Sequence, residues 1–156
     1  MKPFTSSFEL LGQINPSLQV AWLASIPFAE WPFKEGPVNV VNRDWHDFEA
    51  ATNPLIETIL ENHFQGMWAV NRALEIVVPG FPLTLQRTPE NPNWLAHVRV
   101  PLLANPYCLM WVKEPHPFCP EVNIAYLGNN NVARSWANYG GSPSVHLTFD
   151  AVRPTW

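Results

Sequence analysis

The sequence predicts a mainly β domain with N-terminal helices, built as a double-stranded β-helix, the cupin-like jelly roll. Two observations predict it: a change of hydrophobic period near residue 67, and evenly spaced turn signals after it. Trp68, Val70, Leu74, Ile76 and Val78 alternate with Ala69, Asn71, Ala73 and Glu75, which is the two-residue period of a strand. Strand-like runs follow at 94–103, 107–113, 121–127, 132–138 and 144–152, separated by "TPENPN", "ANP", "KEPHPF", "GNNN" and "GGSP". With "LTLQR" after the Pro79-Gly80 turn, this makes about seven or eight strands behind a helical layer, the pattern of a jelly roll. The expected organisation is one domain over 1–156, with a helical layer at 1–66 and the β core at 67–152.

The N-terminal third carries helix signals. Ser6-x-x-Glu9 forms a capping box ahead of "FELLGQI", predicting a helix near 6–12. Asn15-Pro16 opens "SLQVAWLAS" with a cap and a first-turn proline, predicting a helix at 16–25. Residues 26–45 form a Pro-punctuated connection with at most one short strand, at Val38–Val41. Asn53-Pro54 then caps "PLIETILENHF", a helix at 54–65 with Ile56, Leu60 and Phe64 on one face and Gly66 as its stop.

Composition narrows the function. The chain has 156 residues, 47% of them apolar, enough for one buried core. No apolar run approaches the length of a membrane span. "MKPFTSSFEL" lacks the architecture of a secretory signal, so the expected location is the cytoplasm. A net charge of −4 with only 9 basic residues, none clustered, argues against nucleic acid as partner. Cys108 and Cys119 could bridge across a hairpin or remain reduced thiols, and their spacing is not a zinc signature. The 17 prolines punctuate loops. The 8 tryptophans could form a stacking surface for sugars, or pack the core, the commoner use for Trp68, Trp94, Trp111 and Trp136 inside strand-like runs. No Ser-His-Asp or Cys-His arrangement is present, and "NYGGSP" is a turn, not a phosphate loop.

The segment from Val77 to Asp150 resembles the aspartyl/asparaginyl β-hydroxylase family of Fe(II)- and 2-oxoglutarate-dependent dioxygenases, with weaker similarity reaching back to about residue 50. "VRVPLLANP" looks like the family's R-x-H-I-P-L-x-T-N-P. "NNNVARSWANYGGSPSVHLTFD" is similar to its closing N-x-x-x-x-H-x-V-x-N and R-x-H-L-x-x-D motifs. The resemblance implies a triad of two imidazoles and one carboxylate holding iron, and a basic side chain holding 2-oxoglutarate. Carrying these roles over fails repeatedly. The first His falls on Gln86, the acid on Thr88, the distal His on Arg134 and the cosubstrate arginine on Ser144. In the "HVRVPL" strand the family's Arg and His stand exchanged, as His97 and Arg99.

A guanidinium has no lone pair and stays charged, so Arg134 is not an iron ligand. The expectation is therefore no catalytic residue, no metal and no cofactor; the alternative is Fe(II) and 2-oxoglutarate on shifted ligands, with His97 and His146 as spare imidazoles. His46, His63 and His116 fall in helical or loop segments, where a surface role is the default. Gln86, Thr88, His97, Arg99, Arg134, Ser144 and His146 are the expected lining of a polar cleft. Either they pair with one another, or the cleft holds an anion. Glu90, Glu121 and Asp150 are the acids placed to pair with Arg99 or Arg134. The leading function is a non-catalytic binding or structural module with a protein partner. An active hydroxylase and a Trp-lined carbohydrate-binding jelly roll are the alternatives.

Overall fold

The computed structural model describes residues 8–32, 38–80, 84–86, 94–111, 117–128 and 134–154. Two antiparallel sheets face each other. The larger contains six strands in the order β1 (Phe8–Gln13), β7 (Ile124–Gly128), β5 (Trp94–Leu103), β9 (Ser144–Val152), β3 (Trp68–Val77) and β2 (Val38–Val41). The smaller holds β4 (Thr84–Gln86), β8 (Arg134–Asn138) and β6 (Cys108–Trp111), in that order. From β3 to β9, strands consecutive in sequence alternate between the sheets, so the architecture is the expected double-stranded β-helix.

The strand β9 sits at the centre, paired with β3 and β5, and is buried from Ser144 to Ala151. Because successive side chains leave opposite faces of a strand, a strand buried throughout must cover two interfaces. One is apolar. Val145, Leu147, Phe149 and Ala151 join Leu74, Ile76, Val98, Val100 and Leu102 in a core that packs under the helices. The other face carries Ser144, His146, Thr148 and Asp150 and looks toward the smaller sheet, closed by a small apolar cluster of Val77, Cys108, Met110 and Trp136.

Two helices cover the apolar face. In α1 (Ser17–Ala24) the Ser17 N–H donates to Asn15 Oδ1 at 3.2 Å, and Gln19 reaches the Ala51 carbonyl of α2 at 2.9 Å. The second helix, α2, runs Phe48–His63 and so begins six residues before the expected start at Pro54, which lies inside it. Pro54 has no N–H for the preceding turn, which costs about 3 kcal/mol in a helix interior. Phe48, Ile56 and Ile59 are almost fully buried on one stripe, and each contributes roughly 2–3 kcal/mol. The apolar stripe outweighs the proline, and the helix extends through it.

The helix expected at 6–12 is instead the edge strand β1, paired to β7 from Phe8↔Gly128 to Gln13↔Ile124 with a register shift at Gly12. A run this short gains little from helix formation, since nucleation is unfavourable, whereas pairing with β7 satisfies its backbone directly. Ser6 of the capping box lies outside the described residues. The region before residue 67 is thus not a purely helical layer, because β1 and β2 form both edges of the larger sheet. Among the described residues no helix is long and apolar enough to cross a membrane.

Candidate functional site

Gln86 and Arg134, the two positions that the family resemblance assigns to imidazole ligands, are direct register partners between β4 and β8. The register makes the two positions backbone neighbours across β4 and β8. Thr88, the acid position, lies outside the described residues.

The inner face of the larger sheet holds the other candidates, in three groups. In the middle, Arg99 from β5 is 1% exposed and forms an ion pair with Glu75 from β3. Its Nη1 also donates to His146 Nδ1 of β9 at 2.9 Å. The Arg99 guanidinium lies over the Trp136 ring, 4.9 Å from the centroid, and the His146 ring sits 5.1 Å from that of Trp136. Desolvation first, and the Arg99 charge second, push the His146 pKa down to about 3 against the pull of Glu75. His146 is therefore neutral, and since Nδ1 accepts from arginine its proton is on Nε2.

At one end, His97 Nδ1–H donates to Asp150 Oδ1 at 2.8 Å, and Asn71 donates to Asp150 Oδ2 at 2.9 Å. Asn71 takes a left-handed backbone (φ 53°) at the register shift between Val70 and Ala73, which turns its amide toward β9. At the other end, Ser144 donates to the Leu103 carbonyl at 3.1 Å, and burial pushes the Cys108 thiol pKa up to about 11 against the lowering influence of Ser144. Cys108 and Cys119 are both free.

The spare histidines are not brought together. His97 pairs in register with Asp150 and His146 with Pro101, which separates the imidazoles by roughly 13 Å along the strands. His146 faces a guanidinium, and both oxygens of Asp150 are already engaged. Among the described residues no three His, Cys, Asp or Glu side chains are grouped to hold a metal. Of the positions that the resemblance assigns to imidazole ligands, Gln86 and Arg134 are not imidazoles, and a guanidinium has no lone pair to offer a metal. A relocated site on His97 and His146 finds no geometry to support it.

Sequence reasoning missed Glu75, which is the acid that meets Arg99. Of the acids it nominated, Asp150 pairs with His97, Glu121 is exposed, and Glu90 lies outside the described residues. It also missed Trp136 as part of the site, although Trp136 has the same strand parity as position 134. The remaining tryptophans with described side chains divide. Trp31 is buried, Trp22 stacks edge-on to Trp45 at 5.8 Å in the helical layer, and Trp68 is 57% exposed.

The asparagines of the family-like motifs build the end of the barrel beside Ser144. Asn105 Nδ2 donates to Asn138 Oδ1 at 3.1 Å and to the Ser142 carbonyl at 2.7 Å. Asn138 Nδ2 donates to the carbonyls of Val77 and Ser142, both at 2.9 Å. A Cβ at Gly140 would overlap the Asn105 side chain. These residues join loops from both sheets, so the motifs carry fold even where the ligand positions differ.

No family model matches the sequence. No curated protein matches it either. Among solved structures, a prolyl-4-hydroxylase from Pseudomonas putida is similar, with a TM-score of 0.56 over 97% of this chain and 95% of that one, at 13% identity. A truncated viral collagen prolyl hydroxylase from Paramecium bursaria Chlorella virus 1 gives a TM-score of 0.64 over 96% and 91% of the two chains, at 7% identity. The fold, a double-stranded β-helix, is similar to that of these two prolyl hydroxylases. At this identity the likeness is one of fold alone. The narrower resemblance to aspartyl/asparaginyl hydroxylases rests on its motifs.

Proposed function

We propose that this chain is a non-catalytic binding module on a dioxygenase scaffold, with a protein as partner. The observation that supports this reading most is the backbone register pair Gln86↔Arg134, because the residue type at the second of these two resemblance-assigned ligand positions carries a permanent positive charge. A unit charge about 4 Å from another repels it by about 4 kcal/mol at an effective dielectric of about 20, and a divalent ion faces twice that. Gln86 and Thr88 bring no compensating charge. The fold supplies a two-sided sheet whose inner face is polar, which suits recognition without chemistry.

The likeness to prolyl hydroxylases favours a second reading, an active hydroxylase with shifted ligands. The two part at one experiment: incubation with Fe(II), ascorbate and 2-oxoglutarate, with succinate as readout. The binding-module reading expects no succinate above a protein-free control; sustained formation would establish the enzyme. A sugar-binding role has less support, because Trp136 and Trp31 are buried away from any stacking surface. Glycan-array binding through Trp68 would restore it.

A further inference from the structure

Among the described residues, three buried N–H groups at the centre of the barrel have no hydrogen-bond partner: Arg99 Nη2, Trp136 Nε1 and His146 Nε2. They belong to three strands of both sheets, and the groups that carry them are in mutual contact. All three are donors. Arginine and indole nitrogens only donate, and the Arg99 bond to Nδ1 leaves the imidazole proton on Nε2. Buried donors in native proteins are nearly always satisfied, so three neighbouring N–H groups that neither Glu75 nor His146 Nδ1 satisfies mark a place for a further acceptor.

The charge at this place decides what kind of acceptor fits. Glu75 already neutralises Arg99. A carboxylate entering here would bring an uncompensated negative charge into a low-dielectric interior, beside the Glu75 carboxylate. A neutral carbonyl brings two lone pairs and no charge. The surrounding wall, made of Val77, Cys108, Met110 and the Trp136 ring, is apolar and suits a short aliphatic substituent. We propose that the barrel interior binds a neutral carbonyl ligand of the amide class, held by Arg99, Trp136 and His146. This deepens the binding-module reading and rests on it, while replacing an inherited anion site by a neutral one.

The three atoms are enclosed, so the ligand enters by separation of the sheets. The inner interface is the weaker one. Among the described residues it is closed by four buried apolar side chains with Phe118 against them, whereas the helix-covered face carries the large core. Opening of this kind draws on the least stable contacts of a fold.

Propionamide and propionate have nearly the same shape and differ in charge, which makes them suitable probes. The readout is the Trp136 indole N–H resonance in a proton–nitrogen spectrum, identified by its disappearance in Trp136→Phe. Propionamide should move this resonance saturably and propionate should not. Trp136→Phe, followed by ligand-detected NMR, should weaken propionamide binding about tenfold. Propionate or 2-oxoglutarate binding as tightly as propionamide would overturn the neutral-ligand assignment. A Trp136 resonance indifferent to all three would overturn the site itself, whether or not the Phe variant folds. Iron found in the same preparation would sink the non-catalytic reading and leave the propionamide result standing.

Discussion

Arg99 Nη1 donates to His146 Nδ1 at 2.9 Å inside the barrel, and this bond can exist only while the imidazole is neutral. The His146 pKa lies near 3, below its ordinary 6.5. A depressed folded value means that the stabilisation is present in full above pH 6.5. It is lost as the pH falls from there toward 3, because the unfolded chain takes up a proton that the folded one refuses. Over that window His146 alone should remove about 1.4 kcal/mol of stability per pH unit. Urea unfolding across pH 7 to 3 measures the slope, and His146→Gln should flatten it by that amount. Parallel slopes in the two proteins would show that His146 does not resist protonation.

The Arg99–Glu75 pair is buried on both sides, so its partners should be strongly coupled. Arg99→Met alone leaves the Glu75 carboxylate buried without its cation and should cost about 3–5 kcal/mol. Adding Glu75→Leu should recover most of that loss, since a well-packed apolar pair often replaces a buried ion pair at no cost. Equal losses in the single and double variants would mean that the two side chains are not coupled.

Asn138 makes its bonds with no access to solvent. Asn138→Ala should strand the Asn105 amide and two carbonyls and lower stability by about 3 kcal/mol. Gly140→Ala should destabilise by a comparable amount through overlap with Asn105. Denaturant midpoints read both. If both variants match the parent, the asparagine network does not hold the sheets together.

The strands after residue 67 were legible because one face of each is apolar and the other is not. The same alternation hid Glu75. A polar residue on the face away from the helices reads as solvent-facing, and only closure by the smaller sheet buries it beside Arg99. The strand β1 was misread because Ser6-x-x-Glu9 is a local signal, while its pairing with β7 spans more than a hundred residues. Pro54 looked like a helix start because position alone does not tell that Phe48 and Thr52 extend the buried stripe upstream. The motif resemblance expects 86, 88 and 134 to converge; the backbone register pairs 86 with 134, and 88 lies outside the described residues.

Restoring the ligand set tests how far the scaffold has drifted. The triple variant Gln86→His, Thr88→Asp, Arg134→His should bind Mn(II), an oxygen-stable stand-in for Fe(II), about tenfold or more tighter than the parent in calorimetric titration. Unchanged binding would mean that positions 86, 88 and 134 no longer converge as a metal needs, and the kinship would reduce to shared fold.

The most direct measurement is the iron content of the protein purified without chelators, taken together with its turnover of 2-oxoglutarate. The binding-module account predicts iron far below one atom per chain and no turnover above background. Stoichiometric iron with 2-oxoglutarate consumption would contradict it and make this chain an oxygenase.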